Sequence, residues 1–293
     1  MSKIDIDKQI YDLYDEYCHG HMDRREFLSR ASVITIAGVS GLAMAQALLP
    51  RYAEAQTISF TDKRIKANYV EYESPGGTSG DMRGYLVKPT TQGPFPSVIV
   101  IHENRGLNPY IEDLARRFAA EGFLSLAPDG LFPVGGYPGN DDDGRTLQRN
   151  LDQAQLKQDM LNSAIFLKSH ELSSGKLGAV GFCWGGGTTN YLAVKMGAEL
   201  SAGVPFYGAA PKSEDIAKIK ASLMIQSAED DPRINAMWPD FEAELKSNQK
   251  SFVRHLYPGT RHGFHNNSTP RYNEAAANLA WERTVVFFRE ELV

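Results

Sequence analysis

The sequence predicts a doubly wound, mostly parallel α/β sheet with helices on both faces. Three observations carry that expectation. From Thr57 onward, short apolar runs of strand character alternate with amphipathic runs of helix character. The polar residues gather just after the ends of the strand-like runs, where such sheets keep their sites. And one of those ends, Gly181-Phe182-Cys183-Trp184-Gly185, is a glycine-flanked turn from a strand into a helix.

Taken in order, Ile65 to Glu73 and Asp81 to Lys88 alternate as two strands joined by the turn-rich Ser74 to Gly80, a hairpin. Ser97 to Ile101 is continuously apolar, as a strand covered on both faces must be. It ends in His102-Glu103-Asn104-Arg105-Gly106. A helix over 111–120, a strand over 123–127 and a Gly/Pro/Asp-rich loop over 133–144 follow, the loop reading as the rim of a cleft. One long amphipathic helix is expected over 147–169. Lys176 to Val180 is a strand, and the helix after the glycine turn runs from Gly186 to about Lys195. Further strands are expected over 202–207, 222–226 and 251–257, and helices over 236–247 and 272–292.

The 293 residues are 42% hydrophobic and 23% charged, ordinary globular material for one large α/β domain. A formal charge of −5 leaves no electrostatic footprint for nucleic acid, so a small neutral or polar substrate is the default. Residues 1–55 read as a Tat-type signal peptide. Arg24-Arg25 is the twin-arginine pair, Ala31 to Leu49 the mild apolar run, and Ala53-Glu54-Ala55 a small-x-small site with cleavage expected after Ala55. The other readings of this segment are an uncleaved membrane anchor and an ordinary N-terminal helix. Export would make the protein periplasmic or secreted, with the Tat machinery as its partner and no stable membrane anchor. Cys18 lies in this segment, which leaves Cys183 as the lone cysteine of residues 56–293. That thiol has nothing to pair with in an oxidising compartment.

In the pattern Gly-x-nucleophile-x-Gly, the turn is so tight that the central residue takes strained backbone angles and the flanks have no room for side chains. Cys183 would then stand at a helix N-terminus, where backbone N–H groups favour a thiolate and an oxyanion. Two later strand ends carry an acid, Asp230 or Asp231, and His262. Nucleophile, acid, histidine is the chain order of α/β-hydrolases. His262 would be the base, His265 being its competitor, while His102 and His255 read as packing residues. Trp184 N–H and Asn104 N–H are the expected oxyanion donors.

From about Ile65 onward the chain resembles the dienelactone hydrolase family of α/β-hydrolases. The resemblance rests on G-F-C-W-G-G at 181–186, D-P-R-I-N at 231–235, R-H-G-F at 261–264 and H-E-N-R-G at 102–106. It implies Cys183 as nucleophile, Asp231 rather than Asp230 as acid, His262 as base, and Glu103 as a carboxylate that touches the resting thiol. It implies a carboxylic ester or lactone as substrate, cleaved through a thioester, with no metal or organic cofactor. Members that open dienelactone hold its carboxylate with arginines. Here His265-Asn266-Asn267 and Phe132-Pro133-Val134 stand at those places, so Arg261, Arg271 and Arg145 are the candidates. Two other functions use the same thiol: a thioesterase or related acyl transferase, and a non-enzymatic redox sensor.

Overall fold

The computed structural model describes residues 7–18, 22, 24–36, 39–49 and 51–293. The chain begins with helices α1 (Lys8–Cys18) and α2 (Arg24–Ser32), the two-residue strands β1 (Thr35–Ile36) and β2 (Val39–Ser40), and α3 (Gly41–Ala47). Ile10, Tyr14, Tyr17, Phe27, Ala31, Met44 and Leu48 close over one another as a core of their own. The segment expected as a leader thus has a folded form. Asp23, ahead of the arginine pair, lies outside the described residues. No described helix is long and apolar enough to cross a membrane. The short helix α4 (Tyr52–Ala55) leads into the sheet.

The hairpin expected from the turn residues is β3 (Ile65–Ser74) paired antiparallel with β4 (Gly80–Pro89). Then come β5 (Phe95–Ile101), α5 (Pro109–Ala120), β6 (Leu124–Pro128), α6 (Asp141–Asn150), α7 (Gln153–Ser169), β7 (Ser173–Phe182) and α8 (Trp184–Met196). The rest is β8 (Ala202–Phe206), β9 (Ser222–Asp230), α9 (Pro232–Asn235), α10 (Trp238–Ser247), β10 (Phe252–Arg261) and α11 (Glu274–Leu292). The order across the sheet is β10-β9-β8-β7-β5-β6-β4-β3. Only β4 runs against its neighbours; every other adjacent pair is parallel.

Why the central strands read as unbroken apolar runs is visible in the two layers. Along β5, Val98 and Val100 pack with Ile111, Leu114 and Phe118 of α5 and Phe288 of α11. Ile99 and Ile101 point the other way, to Leu156 and Met160 of α7 and Leu192 of α8. Successive side chains face opposite sides of a strand, so a sheet covered by helices on both faces needs apolar residues at every position.

The helix expected over 147–169 is two helices. Asp152 stops the first and caps the second, its carboxylate accepting from Ala154 N and Gln155 N at 2.8 and 3.1 Å. Asn140 caps α6 by accepting from Asp143 N at 2.9 Å, and three aspartates fill its first turn. Residues 141–144, the last third of the expected rim loop, are therefore helical. The capping pattern was present in the sequence, but Gly144 and the acidic run read as loop.

A buried carboxylate joins the hairpin turn to α7. Asp159 accepts from Ser74 Oγ and Thr78 Oγ1, each at 2.6 Å, and from Thr78 N at 3.1 Å. Removing it leaves three donors without an acceptor, which costs about 3 kcal/mol. Urea denaturation of Asp159→Ala should show that loss; a change below about 0.5 kcal/mol would mean the turn is held by other contacts.

Candidate active site

Between β7 and α8 the chain reverses on Cys183, whose backbone sits at φ 57° and ψ −113°. A non-glycine residue there is strained and stays only if its surroundings over-determine it. They do. A Cβ at Gly181 would lie 2.0 Å from Gly185 O, one at Gly185 2.4 Å from Ile101 O, and one at Gly186 2.5 Å from Phe206 O. Cys183 N donates to Phe206 O at 3.1 Å and its carbonyl accepts from Gly187 N at 3.2 Å. The thiol therefore stands at the N-terminus of α8, on a turn whose Gly185 packs against the end of β5.

His262 follows the last residue of β10 and is buried. Its Nδ1 is 2.6 Å from Asp231 Oδ2. Asp231 follows β9 and caps α9, with Ile234 N at 3.4 Å from Oδ1. Burial works to raise the Asp231 pKa, yet His262, Arg233 and the Ile234 N–H hold it below the usual carboxylate value. Burial likewise works to lower His262. The charge of Cys183 and then that of Asp231, with a hydrogen bond from each, overcome it and raise the imidazole to about 10. Sulfur, imidazole and carboxylate thus act on one another across three strand ends. Asp230, which sequence alone left equal to Asp231, is half exposed and pairs with Arg261 at 3.1 Å.

Two other histidines, His265 and His102, have structural duties. His265 Nδ1 meets Tyr110 OH at 2.7 Å, and its ring packs on Phe182 and Phe206. Burial, reinforced by the charge of Arg117, pushes its pKa well below 6.5. His102 accepts from Gly130 N at 3.2 Å through Nε2, so Nδ1–H donates to Glu103 O at 2.6 Å. Its ring stacks on Trp184, 5.4 Å between centroids. His255, half-buried on β10, is lowered by burial and by Arg283.

Asn104 and Trp184, the expected oxyanion residues, line the same pocket as Cys183. Glu103 is buried, and its Oε2 has partners of its own: Asn266 Nδ2 at 3.1 Å and Arg105 Nη2 at 3.6 Å. Arg105, fully buried, in turn binds Asp141 Oδ2 at 2.6 Å. Asp141 also accepts from Tyr52 and Tyr137 hydroxyls at 2.7 and 2.8 Å. The carboxylate expected at the thiol is thus one end of a buried ionic chain.

A cavity of about 620 Å³ opens over Cys183, with Trp184, Thr188, Tyr191 and Ile234 in its wall. Lys157, Lys195, Lys212 and Arg233 stand around it against a single carboxylate, Asp215, which Lys218 already binds at 2.6 Å. None of the three arginines considered for a substrate carboxylate lines this cavity: Arg145, Arg261 and Arg271 all turn toward α1 instead. The lysines were missed because Lys157 and Lys195 come from helices α7 and α8, whose polar faces read as ordinary solvated surface, and Lys212 from the loop after β8. Tyr207 was missed too, since an aromatic at the end of an apolar run reads as core. It has φ 38°, its ring lies 4.8 Å from that of His262, and its buried hydroxyl has no hydrogen-bond partner among the described residues. Burial raises its pKa far above 10, and Tyr110, Glu103 and Cys183 add to that.

A family model described as the dienelactone hydrolase family matches residues 82–292, and one described as YqhI-like matches residues 1–37. A putative carboxymethylenebutenolidase of Saccharolobus solfataricus is 31% identical over 254 residues, covering 74% of this chain and 96% of that protein. A putative hydrolase fragment, YghX, of Escherichia coli is 57% identical over 115 residues, 39% of this chain and 97% of the fragment. The crystal structure of a putative dienelactone hydrolase from Klebsiella pneumoniae superposes with a TM-score of 0.65 at 26% identity, covering 76% of this chain and 99% of that one. These relatives and the sheet order make the protein a carboxylic ester hydrolase with an α/β-hydrolase fold. With the family model spanning β4 to the last turn of α11, the chain belongs to the dienelactone hydrolase family.

Proposed function

We propose that the protein hydrolyses a carboxylic ester or lactone through Cys183, His262 and Asp231, by way of a thioester on Cys183. The observation that carries this reading is the imidazole that Asp231 holds at 2.6 Å and that Cys183 drives up to about 10. A histidine so placed takes the thiol proton and keeps it, leaving a thiolate ready to attack. The sulfur adds to the substrate carbonyl carbon, and the N–H groups of Trp184 and Asn104 receive the oxyanion that forms. When the C–O bond breaks, His262 gives its proton to the leaving oxygen. It then takes a proton from water, which attacks the thioester, releases the acid and regenerates the thiol. Asp231 keeps the ring in the tautomer that serves both steps.

The cationic rim bears on the substrate. The chain as a whole carries −5, yet four cations and one carboxylate surround the cavity. Composition led to a neutral or polar substrate as the default; the rim favours an ester or lactone that also carries negative charge, drawn in by the local field. The substrate remains an ester or lactone in either case.

Cys183→Ala should lower kcat/KM on a p-nitrophenyl ester by about 10⁴-fold, the scale of losing a nucleophile; undiminished turnover would remove the scheme. The imidazole offers a second measurement. Because the folded-state pKa of His262 is raised from 6.5, its protonated form stabilises the fold fully below pH 6.5 and less as pH climbs toward about 10. Nitrogen NMR of the ring should find a midpoint far above 6.5 that drops in Cys183→Ala, since the sulfur is the largest raising influence. A midpoint indifferent to the sulfur contradicts the coupling. Finally, a monoester of a dicarboxylic acid should be hydrolysed with a higher kcat/KM than its neutral methyl ester, by roughly ten-fold at low salt, and Lys212→Glu should shrink the gap. Equal rates for the pair would show that the rim does not select charge.

A further inference from the structure

Of the two residues next to His262, one is an arginine that rests on α1 and the other is touched by an arginine that does. Arg261, just before it, lies 4.7 Å over the ring of Tyr11 and has Nη1 3.5 Å from Asp12 and 3.1 Å from Asp230. Arg271 packs on Gly263, just after it: a Cβ on that glycine would come within 2.9 Å of Nη2. The same guanidinium lies 4.9 Å over the ring of Tyr14. Farther along the loop, Arg51 N donates to Ser268 O and Asn267 Nδ2 to Ala55 O, both at 2.7 Å. On the opposite flank Tyr17 donates its hydroxyl to Asp142, and its carbonyl accepts from Arg145, whose guanidinium covers the Tyr17 ring at 4.2 Å. Asp142 adjoins Asp141, the far end of the Arg105–Glu103 chain.

From these contacts we propose that residues 7–55 stay on the working enzyme as a clamp, with α1 positioning the loop of residues 261–271 that carries the base. From His265 onward that loop is held by bonds of its own and by Tyr110 and Glu103, so α1 acts on its start. It contains Gly263 at φ 85°, and Arg261 is the strap between its start and Asp230, the neighbour of the acid. Stripped of α1, both arginines would lose the rings and the carboxylate that fix their guanidinium planes. The imidazole would keep Asp231 but not a fixed approach to the sulfur. Ala55 itself is buried, with its carbonyl bonded, so a cut after it would have to break into the clamp. Export is compatible with this arrangement, because the twin-arginine route carries folded protein. The assignment rests on His262 being the base, and its test includes a reading that does not depend on activity.

The full chain carrying Tyr14→Ala is compared with Tyr14→Phe, which keeps the ring that Arg271 meets. In Tyr14→Ala, amide exchange across 261–271 should quicken and kcat should fall about ten-fold at unchanged KM, with Tyr14→Phe close to the parent. The intact mass of the active protein recovered from cells should include residues 1–55. Unaltered exchange in Tyr14→Ala overturns the clamp even if Cys183 and His262 prove to be the nucleophile and base. So does a rise in KM alone, or a fully active species beginning at Gln56.

Discussion

No side chain fits at Gly181, Gly185 or Gly186, and the rest of the site depends on that steric fact. Four backbone segments meet there at distances only glycine allows: the end of β7, the first turn of α8, and the ends of β5 and β8 at the carbonyls of Ile101 and Phe206. Their closeness forces Cys183 into its left-handed conformation and aims the thiol out of the sheet. It also sets the loop after β5 against the first turn of α8, where Asn104 and Trp184 line the same pocket as Cys183. The strain at one residue is stable because the tight packing on either side leaves no other path for the chain.

Around this fixed centre the polar groups are arranged in two buried systems of opposite character. One is short: Asp231, His262 and Cys183, in which burial opposes charge on the imidazole and the two neighbouring charges win. The other is long and structural: Asn266, Glu103, Arg105, Asp141 and the hydroxyls of Tyr52 and Tyr137. A fully buried guanidinium is tolerated only because carboxylates surround it. That chain ties the loop after β5 to the start of α6 and to the segment before the sheet. It explains why Glu103 serves as a brace, with partners on both sides, in addition to any contact it makes with the thiol.

The N-terminal helices extend the same logic outward. Arginines that sequence reasoning offered to a substrate carboxylate are turned instead toward Tyr11, Tyr14 and Tyr17. The cations that do face the cavity come from helix surfaces and one loop that no local pattern distinguishes from solvated polar surface. Function here is divided between charges that hold the scaffold and charges that look into the pocket, and one-dimensional spacing does not sort them.

What the sequence determined by itself was everything that local sterics and period encode. Unbroken apolar runs mark strands covered twice, the glycines of 181–186 mark the elbow, and residues that follow strand ends mark where chemistry collects. The order Cys183, Asp231, His262 was legible for that reason. Only the tertiary structure chose Asp231 over Asp230 without appeal to a family, gave His265 to Tyr110, divided one expected helix at Asp152, and brought Tyr207 against His262. It alone folded the described residues of 7–49 around a core and laid α1 on the loop that follows β10. Those outcomes depend on contacts between residues far apart in the chain, whose distances no periodicity or propensity contains.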